Sequence, residues 1–114
     1  MAQAPIELLY WDGCPSHPQA LAQLREALAE IGLTDAPVTL TEITTPAQAQ
    51  AREFVGSPTI LVAGSDVVPP PPGEPTGLSC RVYRRRDGRF SPTPDPDDLR
   101  AALRARLAKP TEET

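Results

Sequence analysis

Proline fixes the backbone φ angle and removes an N–H donor, so it is tolerated in helix first turns and loops but not inside helices or sheets. This chain carries fifteen prolines among 114 residues. Regular structure can therefore form only in the intervals between them. Positions 69–72, with Gly73 and Pro75, predict an extended loop over 69–77. Pro92, Pro94 and Pro96 predict a second such linker over 91–96. Pro15, Pro18 and Pro46 stand where helix first turns accept them, because the N–H they lack would be unpaired there.

The intervals carry clear periodicities. Residues 6–11 are short and mostly apolar, which predicts a buried strand ending at the Asp12-Gly13 turn. Leu21, Leu24, Leu28 and Ile31 line one face of a helix opened by Pro15 and stopped by Gly32. Residues 38–43 alternate apolar and polar, as a strand does. Thr44 or Thr45 caps a short helix from Pro46 to about Phe54. Residues 59–62 make a third strand, Gly64-Ser65 a turn and 66–68 a returning strand. Leu78, Cys80 and Val82 alternate with Ser79, Arg81 and Tyr83, which predicts an edge strand. A last helix, capped by Asp95 or Asp97, puts Leu99, Leu103 and Leu107 on one face. Tyr83 and Phe90 are expected to cover the core. The first two strands, joined by a helix, should be parallel. The sum is one α/β domain over 1–109 with a loose tail over 110–114.

Composition excludes several classes. Two cysteines cannot staple a disulfide scaffold, and no apolar run is long enough to span a membrane. The net charge of −4 argues against nucleic acid as a partner. The first residues lack a basic start and an apolar stretch, which predicts a cytoplasmic protein with reduced thiols. Arg81, Arg84, Arg85, Arg86 and Arg89 form a local basic cluster. It has three readings: protection of an edge strand, stabilisation of a nearby thiolate, or, least favoured, nucleic-acid contact.

The strand that ends in Tyr10-Trp11-Asp12-Gly13-Cys14-Pro15-Ser16-His17 and runs into a helix resembles the active-site turn of thioredoxin-like proteins. Ser57-Pro58-Thr59, just before a strand, resembles that family's cis-proline loop. The resemblance covers roughly 5–68 and the last helix. It implies a central mixed sheet, a βαβαββ core plus an edge strand, flanked by α-helices. It also implies that Trp11, Ser57, Pro58 and Thr59 flank the substrate. The family's second cysteine is replaced by His17. A cysteine opening a helix meets unpaired N–H groups and a partial positive charge, both of which favour the nucleophilic thiolate. His17 is either a partly exposed helix residue or a proton partner and ligand for Cys14.

Cys80 follows the proline-rich loop, which starts near the Cys14 end of the sheet. It is either a second reactive thiol beside Cys14 or an inward-facing strand residue. Two thiols and an imidazole from Cys14, Cys80 and His17 would suit a soft metal such as zinc or mercury; no other cofactor is expected. The chain also resembles small bacterial proteins labelled alkylmercury lyase; organomercurial lyases pair a helix-opening cysteine with a distant second one. Here His17 stands where the lyase has its aspartate. The expected catalytic set is thus Cys14, Cys80 and His17. It would serve thiol redox chemistry or soft-metal binding, acting on a small thiol, an organomercurial or a protein thiol. The alternatives are a non-catalytic peptide-binding module and a lyase-like enzyme.

Overall fold

Each apolar interval between prolines becomes an element, and their order makes a mixed α/β fold. The computed structural model describes residues 4–107. The tail over 110–114 and the stop at Lys109-Pro110 lie outside the described residues. The elements are β1 (Ile6–Tyr10), α1 (His17–Glu30), β2 (Val38–Glu42), α2 (Pro46–Ala51), β3 (Thr59–Val62), β4 (Ser65–Asp66), β5 (Tyr83–Arg84), β6 (Phe90–Ser91) and α3 (Pro96–Arg106). Four strands form one sheet in the order β2-β1-β3-β4. β1 and β2 are parallel, with Ile6 opposite Val38, as a helical crossover requires. β3 is antiparallel to β1 and to β4.

Strand alternation sends side chains to two faces, and both are covered. Ile6 and Leu8 of β1 with Ile60 and Val62 of β3 pack under Leu24 and Leu28 of α1 and Leu99 and Leu103 of α3. Leu9 and Leu61 point the other way and pack with Ile43, Ala49 and Phe54. The sheet is therefore sandwiched between α1 and α3 on one side and the α2 region on the other. Leu107, expected on the core face of the last helix, is buried there. Among the described residues no helix is long and apolar enough to cross a membrane.

Local signals placed the elements with small shifts. Thr45 caps α2 by accepting the Gln48 N–H at 3.1 Å, with Pro46 in the first turn. The helix stops at Ala51 and not near Phe54, since Glu53 turns to a φ of 53° and the Phe54 N–H folds back to the Ala49 carbonyl. The hairpin after β3 turns at Ala63-Gly64, one residue earlier than expected. Both have positive φ, 53° and 82°, as a two-residue turn matched to strand twist requires. Leu40 is 48% exposed because β2 is an edge strand.

The predicted edge strand over 78–82 does not form. That segment makes a single bridge to Ser57, and the chain then enters a separate two-stranded sheet of β5 and β6. Its alternation is also reversed: Arg81 and Tyr83 are buried, while Val82 is 67% and Phe90 69% exposed. The reason is the guanidinium of Arg81. It reaches inward to Asp66 and to the Val68 carbonyl, which draws its neighbours into the opposite parity.

Two more arginines of the cluster tie the β5–β6 hairpin to the start of α3. Arg86 pairs with Asp98 at 2.8 Å, and Arg85 approaches Asp95 at 4.0 Å. Asp95 caps α3. It accepts the Arg86 and Asp97 N–H groups, each at 2.9 Å. The Arg86 N–H first, then those of Asp97 and Asp98, hold its carboxyl below the ordinary range. A depressed carboxylate contributes stability above its unfolded-state pKa of about 3.9 and loses it as pH falls through the folded value. Asp95→Ala should therefore lower stability at neutral pH and flatten the loss that the native chain shows on acidification below about pH 4. Urea unfolding at pH 7 and pH 3 checks both; equal midpoints for native and variant chains at pH 7 would contradict the cap's role.

Candidate functional site

β1 delivers the chain to the end of the sheet, where it must turn before α1. The turn is closed by the Cys14 N–H, which donates to the Trp11 carbonyl at 3.0 Å. The Trp11 indole lies over Gly13, where an added Cβ would push the ring aside. Trp11 itself is half-buried against the cluster of Leu9, Ile43 and Phe54. Cys14 is completely buried.

The helix opens later than the sequence predicts. Ser16 is the N-cap residue, His17 the first helical residue, and Pro18 the proline of the first turn. The first helical bond runs from the Ala20 N–H to the Ser16 carbonyl at 3.1 Å. Cys14 therefore lies two residues before the N-cap and is not the helix's opening residue. Since the helix-end field falls off within a turn, its effect on Cys14 is smaller than a helix-opening cysteine would feel.

The second wall is built around Pro58. The Ser57–Pro58 peptide is cis, and Ser57, Pro58 and Thr59 are all buried. The segment 79–81 lies over them. The Ser57 N–H donates to the Ser79 carbonyl at 2.8 Å, and the Arg81 N–H donates to the Ser57 carbonyl at 2.7 Å. This is a parallel bridge between Ser57 and Cys80. The approach is close enough to need a glycine: a Cβ on Gly56 would lie 2.7 Å from Arg81 Cα and 2.8 Å from its nitrogen.

Five side-chain contacts hold the segment and the residues after it. Arg81 pairs with Asp66 at 2.9 Å and donates to Thr59 Oγ1 at 3.1 Å. It donates to the Val68 carbonyl at 2.7 Å and lies 4.4 Å from the Tyr83 ring centre. Tyr83 donates its hydroxyl to the Pro58 carbonyl at 2.6 Å. Burial pushes the Tyr83 phenol up, so it remains a donor. Burial also raises Asp66 above the ordinary carboxylate value, although Arg81 beside it pulls the other way.

This clasp brings Cys80 onto Cys14. The two cysteines form a disulfide with Cα atoms 5.5 Å apart, across 66 residues of chain, a separation ordinary for such a bond. Cys80 is exposed, whereas Cys14 is not. The reading of Cys80 as an inward-facing strand residue is thereby replaced. The Cys14 sulfur also lies 3.7 Å from the Ser57 carbonyl oxygen and 3.9 Å from Ser16 Oγ.

His17 follows a different course. Its ring stacks on Tyr10 with centroids 4.1 Å apart, and its buried Nδ1 has no partner. Among the described residues no three His, Cys, Asp or Glu side chains stand together to hold a metal ion. Cys14, Cys80 and His17 thus do not assemble as a ligand set in this oxidised form, because the sulfurs bond each other and the imidazole faces Tyr10. Two shallow surface cavities, at residues 32–37 and between α1 and Arg85, touch neither cysteine.

Arg81, Tyr83 and Asp66 are the site residues that sequence reasoning did not single out. Arg81 is indistinguishable in sequence from the four other arginines of its cluster. Against known protein families, curated proteins and solved structures, the chain has no match.

Two outcomes follow from the clasp. Gly56→Ala should destabilise the oxidised protein by about 1–3 kcal/mol, the usual cost of overpacking, and should leave a larger fraction of Cys14 and Cys80 unpaired after air oxidation. Denaturant melts and thiol counting measure both. Replacing either cysteine by serine should remove the cross-link's restriction of the unfolded chain, which for a loop of this length corresponds to about 4 kcal/mol. A loss well under 1 kcal/mol would contradict that role.

Proposed function

We propose that this chain is a thioredoxin-like thiol–disulfide protein whose redox pair is Cys14 and Cys80. The strand order β2-β1-β3-β4, the parallel β1-α1-β2 unit and a cis-proline ahead of β3 support the fold reading. One observation carries the chemistry: an exposed cysteine is bonded to a buried one beside that proline.

The exchange runs through ordinary thiol chemistry. A partner thiolate attacks the sulfur of Cys80, which sits on the exposed residue. A new partner–Cys80 bond forms, the Cys80–Cys14 bond breaks, and Cys14 leaves with the electron pair as a thiolate. The Ser16 hydroxyl, 3.9 Å from that sulfur, is in reach to donate to it after a small rotation. A second thiol of the partner then attacks the partner's own sulfur in the mixed disulfide. Cys80 leaves as a thiolate and takes a proton from water. Two partner thiols have become a disulfide and the protein pair has gained two electrons. Reversal of the same steps reduces a partner disulfide.

A redox titration against thiol–disulfide buffers tests this. The pair should equilibrate reversibly, with a potential above about −300 mV. A pair that stays oxidised well below that value is a structural cross-link, and the proposal fails.

The meeting of Cys14 and Cys80 also favours a second reading, the organomercurial-lyase-like one. Two thiolates of the reduced pair would hold mercury, as soft ligands do. Among the described residues no carboxylate joins the two sulfurs in a group of three, and His17, which stands where the lyase has its aspartate, turns to Tyr10. Thiol exchange is the better supported of the two. Hydrocarbon release from methylmercury by the reduced protein would reverse that order.

A further inference from the structure

The β5–β6 hairpin has one face anchored and one bare. Tyr83 is buried and its hydroxyl bonds the Pro58 carbonyl. Val82 and Arg84 alternate with it and so point the other way. Phe90 stands directly opposite Arg84. Val82 and Phe90 are therefore diagonal neighbours on one face. They are 67% and 69% exposed, more than Leu40, the other large apolar residue that is open to solvent among those described.

The charge on this face is specific. Arg81 is paired with Asp66, Arg85 with Asp95, Arg86 with Asp98 and Arg89 with Asp87. Arg84, between the two apolar residues, makes no ion pair among the described residues. The face thus offers two apolar side chains around an unneutralised guanidinium, in a protein of net charge −4. Val82 is two residues from Cys80, a reach of at most roughly 7 Å along extended chain.

We infer that this face is the docking surface for the redox partner, and that the partner is a cysteine-bearing polypeptide segment with apolar and acidic residues beside its cysteine. The inference rests on the redox reading of the Cys14–Cys80 pair and adds the substrate class to it. A partner sulfur joined to Cys80 brings its neighbouring residues over Val82, Arg84 and Phe90. Apolar contact covers the exposed carbons, and a carboxylate neutralises Arg84. A small thiol reaches the same sulfur without touching the face.

The test uses the oxidised full chain and three reagents. One is a peptide with cysteine flanked by Phe and Glu. Another has Ser and Lys in those places. Glutathione is the third. Rates of disulfide reduction are taken as ratios of variant to native chain, so that each reagent's intrinsic reactivity cancels. Val82→Ser with Phe90→Ser should slow the Phe/Glu peptide by about ten-fold or more, the size expected from uncovering an apolar side chain, and leave glutathione unchanged. Arg84→Glu should slow the Phe/Glu peptide and speed the Lys peptide. Unchanged peptide rates in these variants overturn the docking surface while the redox reading stands. A native dimer that the double serine variant converts to monomer also overturns it, since a second copy would then cover the face. A native disulfide inert to all three reagents overturns the redox reading and this inference together.

Discussion

The structure turns on two backbone hydrogen bonds at Ser57. Its N–H and carbonyl both bond the segment 79–81, which has no other strand partner among the described residues. Those bonds are short and buried, where an unpaired backbone group would cost most. They place Cys80 over Cys14 and fix where the proline-rich loop must end. The loop's own approach is tied at Phe54, whose carbonyl accepts the Gly77 N–H at 3.1 Å. A long prolyl excursion thus returns to a defined point because peptide groups on both sides of it are satisfied there.

Burying Arg81 is the electrostatic counterpart of that clasp. A guanidinium taken out of water must find partners for its donors, and here Asp66, Thr59 and the Val68 carbonyl supply them. These partners come from β3, β4 and the chain just after β4, so the arginine links the main sheet to the segment carrying Cys80. The stacked Tyr83 then extends the link to the cis-proline carbonyl. The Cys14–Cys80 pair is consequently held by a polar network on one side and by the hydrophobic sandwich under β1 and β3 on the other. The bare face of the hairpin is the by-product: turning Arg81 and Tyr83 inward obliges Val82 and Arg84 to face water.

The sandwich was largely legible in the residues. Leu24, Leu28, Leu99 and Leu103 recur at helical spacing, and residues 59–62 are too short and apolar to be anything but a buried strand. Thr45 and Pro46 announce α2 through capping chemistry that acts over three residues. The proline loops were legible for the same reason, since a missing N–H is a local fact. Cys14 in its turn and Pro58 ahead of β3 were recognisable as a candidate site. Segment 78–82 reads as a strand because Leu78, Cys80 and Val82 alternate with polar residues, yet the structure gives it the opposite parity. The outcome was set by one arginine finding an aspartate fifteen residues back.

The sequence by itself determined the helices and the strands of the main sheet, because helix faces, caps, turns and proline breaks are decided by neighbours within a few positions. It also determined that two cysteines and one histidine were its candidate reactive groups. Tertiary structure alone decided which of these meet. The Cys14–Cys80 bond spans 66 residues, and His17, three residues from Cys14, turns instead to Tyr10. Distance along the chain carries no information about such pairings. They depend on which buried polar groups, at Ser57 and Arg81, must be satisfied when the loop closes on the sheet.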